Sequence, residues 1–327
     1  MDNSPLVSVV MSVYNGERHL RESLDSLLAQ TYPHLEIILV NDGSRDRSRE
    51  MIATYQDPRI VCIDRQENLG LTKSLNEGVR RARGVYVARL DVGDVALPNR
   101  IERQVHFLEQ HPEVGILGCG IAFFAHVHTL REYTYATEHA RIAELLQQFA
   151  NPLPHSTLMF RRSVLERLEG YRPQFARSQD YDLLLRAIAV TTLASLPEVL
   201  VRWRFEPGSL TFGSGGQLAF GIAALVRARH RLLGHKDVLS DEEWTTLLQR
   251  VQVFIRRHHL DVRMGASKHR ILAQCAFGEQ QWRDMAMHLA RLVTQSPLFF
   301  VHTRTRLSAF IADHAEELLP CAYVCGR

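Results

Sequence analysis

Two hydrophobic periods alternate through the first 120 residues, and this alternation constrains the fold more than any other feature. Residues 6–13 form a near-continuous apolar run, the pattern of a strand covered on both faces. Residues 17–30 then carry Leu20, Leu24, Leu27 and Leu28 at helical spacing. A second strand over 35–40 closes on the turn Asn41-Asp42-Gly43. Helix over 46–55, strand over 60–63, helix over 71–82 and strand over 85–90 follow. Pro98 opens a further helix that continues over 99–109. Strand and helix in strict alternation predict an α/β fold with a doubly wound, mostly parallel sheet. Ligands of such sheets gather beyond the carboxyl ends of the strands. That rule picks out Tyr14-Asn15-Gly16, Asp42-Gly43-Ser44, the stretch 65–70 and the stretch 91–94, each directly after a strand.

After the glycine-rich stretch 213–216 the pattern turns helical, with segments over 218–233, 242–259 and 282–293. Ser240 followed by Glu243 has the form of a capping box. The expected organisation is a catalytic domain over 1–215 and a helical accessory region over 216–327. Residues 215–327 hold 15 Lys/Arg against 10 Asp/Glu, while the whole chain carries only +3, too little to point to nucleic acid. The five cysteines are scattered and odd in number, which suits a reducing, cytoplasmic setting. The longest apolar run, 115–125, is too short to span a bilayer, and no leader segment is evident.

Asp91 and Asp94 follow the fourth strand on a short loop, and paired carboxylates there suit a hard divalent cation beside a diphosphate. A solvated turn is the plain alternative. Asp42 can accept a hydrogen bond from a base or ribose, or simply form a turn before Gly43. Arg65, Asn68, Gly70, Lys73 and Asn76 form a polar cluster after the third strand, with Gly70 permitting close backbone approach. Asp180 and Asp182 open a helix, where the dipole alone favours acidic residues. A carboxylate at that place can also serve as a general base.

Taken in order, the stretches VSVVMSVYNGERHLRESLDSLLAQTY, LEIILVNDGSRDRS, ENLGLTKSLNEGVRRARGVYVARLDVGDVALPNRIERQV, PHSTLMFRRSVLERLEGYRPQF, SQDYDLLLR and LPEVLVRWRFEPGS resemble glycosyltransferase family 2, which has the GT-A fold. The resemblance spans about residues 5–209. It implies a sugar transferred from a nucleotide-diphosphate donor with inversion, assisted by Mn²⁺ or Mg²⁺. It also implies a glycan, lipid-linked or protein acceptor, in bacterial-type polysaccharide or glycoconjugate synthesis. Tyr14, Asn15 and Asp42 would hold the nucleoside, Asn68 and Gly70 would lie beside it, and Lys73 would join them. Asp91 would face ribose or metal, Asp180 would be the base, and Trp203-Arg204 would approach the diphosphate or acceptor. Two positions depart from the family pattern. Asp91-Val92-Gly93-Asp94 replaces Asp-x-Asp-Asp, so Gly93 offers no side-chain ligand, and either Asp94 takes over or the cation is held weakly. Glu206 stands where relatives carry His, and a carboxylate there can replace the missing ligand.

Two rival readings remain. Gly118-Cys119-Gly120 after a strand is a weak dinucleotide-binding signal, since position 123 is Phe and the motif is not in the first βα turn. A non-catalytic nucleotide- or glycan-binding protein retaining the fold is the second, favoured by Gly93 and opposed by Asp180. The tail is a candidate for peripheral membrane contact, because Phe299 and Phe300 stand near Arg304 and Arg306. Packing of those apolar residues within the protein is the bland alternative.

Overall fold

The computed structural model describes residues 4–125, 128–204, 216–232 and 239–257. They divide into two compact units. Of the described residues, the first comprises 4–124, 131–144 and 151–204, and the second comprises 125, 128–130, 145–150, 216–232 and 239–257.

The first unit is built on one sheet. Strands β1 (Val7–Val13), β2 (Leu35–Asp42), β3 (Ile60–Arg65) and β4 (Tyr86–Arg89) are joined through helices α1 (Leu20–Leu28), α2 (Ser48–Ala53) and α3 (Leu71–Arg81). Next come β5 (Val95–Ala96), α4 (Arg100–Gln110), β6 (Val114–Ala125) and β7 (His128–Tyr133). Helix α5 (His139–Gln147), β8 (Met159–Arg161), α6 (Arg162–Arg167), α7 (Gln179–Ala187) and β9 (Thr192–Arg204) follow, with residue 125 of β6, 128–130 of β7 and 145–147 of α5 counted in the second unit. The strand order is β3-β2-β1-β4-β8-β6-β9-β5, with β7 beside β6. β3, β2, β1 and β4 run parallel, β8 is antiparallel to β4 and β6, and β9 runs parallel to β6.

This mixed, mostly parallel α/β sheet follows from the apolar runs. All eight residues of β2 are buried, as a strand covered on both faces requires. Helix α1 turns Leu20, Leu24 and Leu27 into the core, the face that its leucine spacing predicts. Because the chain winds outward from β1 in one direction and from β4 in the other, the two meet at a switch point where their carboxyl ends diverge. Gly118 and Gly120 lie inside β6, not in a βα turn, which removes the dinucleotide reading.

In the second unit α8 (Gly216–Leu232) and α9 (Asp241–Arg257) pack against each other, with Trp244 tilted 6.0 Å from Phe220. The capping box forms reciprocally. The Ser240 amide donates to Glu243 Oε2 at 2.7 Å, and the Glu243 amide donates to Ser240 Oγ at 3.2 Å. No helix among the described residues is long and apolar enough to cross a membrane. The predicted helix over 282–293, the Phe299–Arg306 surface and Glu206 lie outside the described residues.

Candidate active site

The loops after β1 and β2 are stitched into one edge. Asn15 adopts φ 50°, and its Oδ1 accepts from the Arg45 amide at 2.8 Å. The amides of Asn15 and Gly16 donate to the hydroxyls of Ser44 and Ser48 at 3.0 and 2.9 Å. Tyr14 is left 48% exposed at this edge, open to stack on a planar ligand.

Asp42, buried at the end of β2, organises the loop after β3. Its Oδ1 accepts from the Leu69 amide and from Arg65 Nη1, both at 3.0 Å, and its Oδ2 accepts from the Gly70 amide at 2.9 Å. Arg65 is held in turn by Ser74 and Glu77 on α3. This leaves Asn68 and Lys73 exposed beside that platform. Asn76 does not join them. It turns inward, donating to the Tyr171 carbonyl and accepting from the Tyr171 amide. Its place in the polar cluster is therefore corrected to a structural one, set by two backbone groups that would otherwise be buried unpaired.

The loop after β4 separates its two carboxylates. The Asp91 side chain is 39% exposed. Burial alone would raise its carboxyl, but the Arg89 guanidinium, His155 and the Ser156 hydroxyl hold it below the ordinary value. Asp94 faces inward, where it meets Ser156 Oγ and accepts from the Arg204 amide at 3.0 Å. Burial, aided by the negative charge of Asp91, pushes its carboxyl up to about 8, so it is neutral near pH 7. Gly93 between them has φ 105°, a conformation that side chains other than glycine rarely adopt. Arg204 closes the loop by donating to the Gly93 carbonyl at 2.9 Å and pairing with Glu22. Trp203 beside it packs against Phe123, the rings 4.6 Å apart and tilted by 43°.

Asp180 stands in the first turn of α7, after Ser178 in the left-handed conformation. Burial and the charge of Asp91 push its carboxyl up to about 6, against backbone amides and Arg89, which lower it. Asp182 has a different role. It is buried and paired with Arg172 and Arg186.

Five residues that carry this centre were given no role by sequence reasoning. Arg89 has no exposed side-chain surface, and its guanidinium reaches the Val10 carbonyl, Asp91 and His155. His155 Nε2 is 3.3 Å from Arg89 Nε and 2.8 Å from the Tyr171 hydroxyl. A guanidinium N–H can only donate, so Nε2 accepts. Burial and Arg89 push the imidazole down to about 3, leaving it neutral with its proton on Nδ1, 3.9 Å from Asp91 Oδ2. Ser156 bonds both acidic residues of the loop, and Asn151 bonds Asp180. The signal that could have found Arg89 was an arginine inside the otherwise apolar run YVARL.

Comparison with known proteins follows the same lines. The model of glycosyl transferase family 2 matches residues 8–169. A Bacillus subtilis protein described as glycosyltransferase EpsE is 37% identical over 193 residues, which are 57% of this chain and 68% of that protein. The amylovoran biosynthesis glycosyltransferase AmsE of Erwinia amylovora is 33% identical over 211 residues, 61% and 76% of the two chains. Among solved structures, S. aureus TarS 1-349 in complex with UDP-GlcNAc matches with a TM-score of 0.61 at 14% identity, covering 96% of this chain and 89% of that one. The mannosyltransferase PcManGT from Pyrobaculum calidifontis, in complex with GDP-Man and Mn²⁺, matches with a TM-score of 0.52 at 19% identity, covering 99% and 83%. The two structural likenesses are likenesses of fold.

Proposed function

This chain belongs to glycosyl transferase family 2 and is a glycosyltransferase, and from that premise we propose an inverting transfer from a nucleotide-diphosphate sugar to an acceptor hydroxyl. The observation that carries the reading is the pair Asp91 and Asp180. The two carboxylates come from segments 89 positions apart, interact electrostatically, and stand under opposite influences. Asp91 is kept ionised by Arg89, as a group facing a phosphate-bound cation must be. Asp180 is raised toward neutrality, as a proton acceptor working near pH 7 must be.

In this reading Tyr14, Asn15 and Asp42 bound the nucleoside pocket, with Asn68, Gly70 and Lys73 along its side. The acceptor O–H gives its proton to Asp180. The acceptor oxygen forms its bond to the anomeric carbon as the bond from that carbon to the diphosphate oxygen breaks, and the electron pair leaves with the diphosphate. Attack from the face opposite the leaving group inverts the anomeric centre. Arg204, held on the 91–94 loop by its bond to the Gly93 carbonyl, would approach the departing diphosphate.

For a divalent cation the described side chains fit through Asp91, and no group of three acidic, His or Cys side chains among the described residues could hold the ion by itself. One or two carboxylates plus donor phosphates suffice for such ions. A bound cation would neutralise charge on the departing diphosphate. The bonds of Asp94 to Ser156 and the Arg204 amide support a role in shaping the loop. The solved mannosyltransferase in complex with GDP-Man and Mn²⁺ supports this class of donor and cation. AmsE supports a pathway class of polysaccharide or glycoconjugate synthesis. The scattered cysteines favour a cytoplasmic setting.

The test is turnover of a panel of UDP- and GDP-sugars with hydroxyl acceptors, with product configuration read by proton NMR. An inverted product supports the reading. A retained configuration, or no nucleotide released from any donor, refutes it.

A further inference from the structure

We propose that the six residues from Asn151 to Ser156 form a ruler that sets the base against the donor side, with Asn151 as the positioning residue that orients Asp180. This rests on the reading of Asp180 as the base. Three side chains of the segment reach the two acidic centres. Asn151 Nδ2 donates to Asp180 Oδ2 at 3.1 Å. Ser156 Oγ accepts from the Asp91 amide at 3.1 Å and reaches Asp91 Oδ2 at 3.2 Å. His155 Nδ1 lies 3.9 Å from Asp91 Oδ2.

The segment has the stiffness this task needs. Pro152 and Pro154 each lock a backbone dihedral. Leu153 between them is fully buried, and the Thr157 amide closes a turn onto the Pro154 carbonyl at 2.9 Å. The orientation of the Asn151 amide is also determined. Its Oδ1 accepts from the Leu153 amide at 3.0 Å, and a backbone N–H can only donate. The other end, the NH₂ group, must therefore face the carboxylate. By engaging Oδ2, Asn151 fixes the rotation of the Asp180 carboxylate about its side-chain bond. The arrangement follows the logic of a base oriented by a third group.

A donor facing a carboxylate favours its ionised form, so losing Asn151 raises the proton affinity of Asp180. The other groups acting on Asp180 are Asp91, which raises it, and Arg89 and the amides of Asp180 and Tyr181, which lower it. The Tyr171 hydroxyl also senses its charge. Asp182 on the same helix is neutralised by Arg172 and Arg186.

The test uses the full chain with Asn151→Ala, Asn151→Asp and Asp180→Asn. Carboxyl ¹³C NMR follows the Asp180 titration, identified by its loss in Asp180→Asn. Nucleotide release from the best UDP- or GDP-sugar is followed against pH, and affinity for that nucleotide is measured by calorimetry. Asn151→Ala is expected to lower kcat about tenfold and to move the Asp180 midpoint up by about one pH unit, with nucleotide affinity within about twofold of wild type. Asn151→Asp keeps the acceptor for Leu153 but places a second carboxylate against Asp180, so it moves the midpoint further in the same direction. Where Asn151→Ala fails to fold, an unchanged kcat and midpoint in Asn151→Asp still overturns the positioning role. An inactive Asp180→Asn together with unchanged kcat and midpoint in the Asn151 variants overturns the positioning role alone. An active Asp180→Asn overturns the base assignment and the ruler with it.

Discussion

Gly43 offers the most direct probe of the nucleoside platform. It follows Asp42 with φ 68°, and a Cβ built on it would lie 2.5 Å from the Glu67 carbonyl carbon and 2.6 Å from the Asn68 nitrogen. Both are backbone atoms and cannot rotate away. Gly43→Ala therefore meets two costs. Adopting the left-handed conformation costs about 1–2 kcal/mol. Forcing the 65–70 loop outward in a packed region costs about 1–3 kcal/mol more. The total of about 2–5 kcal/mol is a large part of the 5–15 kcal/mol that typically separates folded from unfolded chains. At about 2–4 °C per kcal/mol for a domain of this size, the melting temperature falls by about 4–20 °C. The displaced loop also carries the Leu69 and Gly70 amides off the Asp42 carboxylate, so affinity for UDP or GDP falls as well. Gly70→Ala is the control. Its backbone is strained for alanine, at φ 92° and ψ 155°, but its Cβ meets nothing within 4 Å, so only the conformational cost of about 1–3 kcal/mol applies. Urea denaturation and nucleotide calorimetry on both variants provide the comparison. A Gly43→Ala protein with wild-type stability and affinity, or one less affected than Gly70→Ala, would refute the close-approach argument.

Asp180→Asn should keep nucleotide affinity and lower transfer by about 10²-fold or more. With the carboxyl at about 6, its base form is lost as pH falls through that value, so wild-type kcat should drop about tenfold from pH 7 to pH 5, and a flat profile would count against the assignment. If Asp91 works beside a cation, excess EDTA should abolish donor turnover and Mn²⁺ or Mg²⁺ should restore it; full activity in chelator would show a metal-independent enzyme. Gly93→Asp should lower stability by about 1–3 kcal/mol without reducing the Mn²⁺ concentration needed for half activity, because φ 105° disfavours any side chain there. A gain in apparent Mn²⁺ affinity at unchanged melting temperature would contradict that reading of the loop.

Much of the framework was legible in the chain. The strands β1 to β4, the helices between them and the helix opening at Asp180 follow from local period, because burial on one face or two writes itself into side-chain spacing. The capping box at Ser240 was legible for the same reason, since both of its bonds join residues three positions apart. Local pattern also picked out Asp42, Asp91 and Asp180 as residues that follow strands or open a helix. It could not separate Asp91 from Asp94, which look alike on a four-residue loop. Only the tertiary structure did so, by setting one carboxylate beside Arg89 and closing the other between Ser156 and the Arg204 amide. Asn76, Asn151 and His155 were likewise undecided by spacing, because their partners lie 95, 29 and 66 positions away. Period reports which face of an element meets the core. The charge state of a carboxylate depends on which distant donors and charges surround it, and that is decided only when the chain has closed around it.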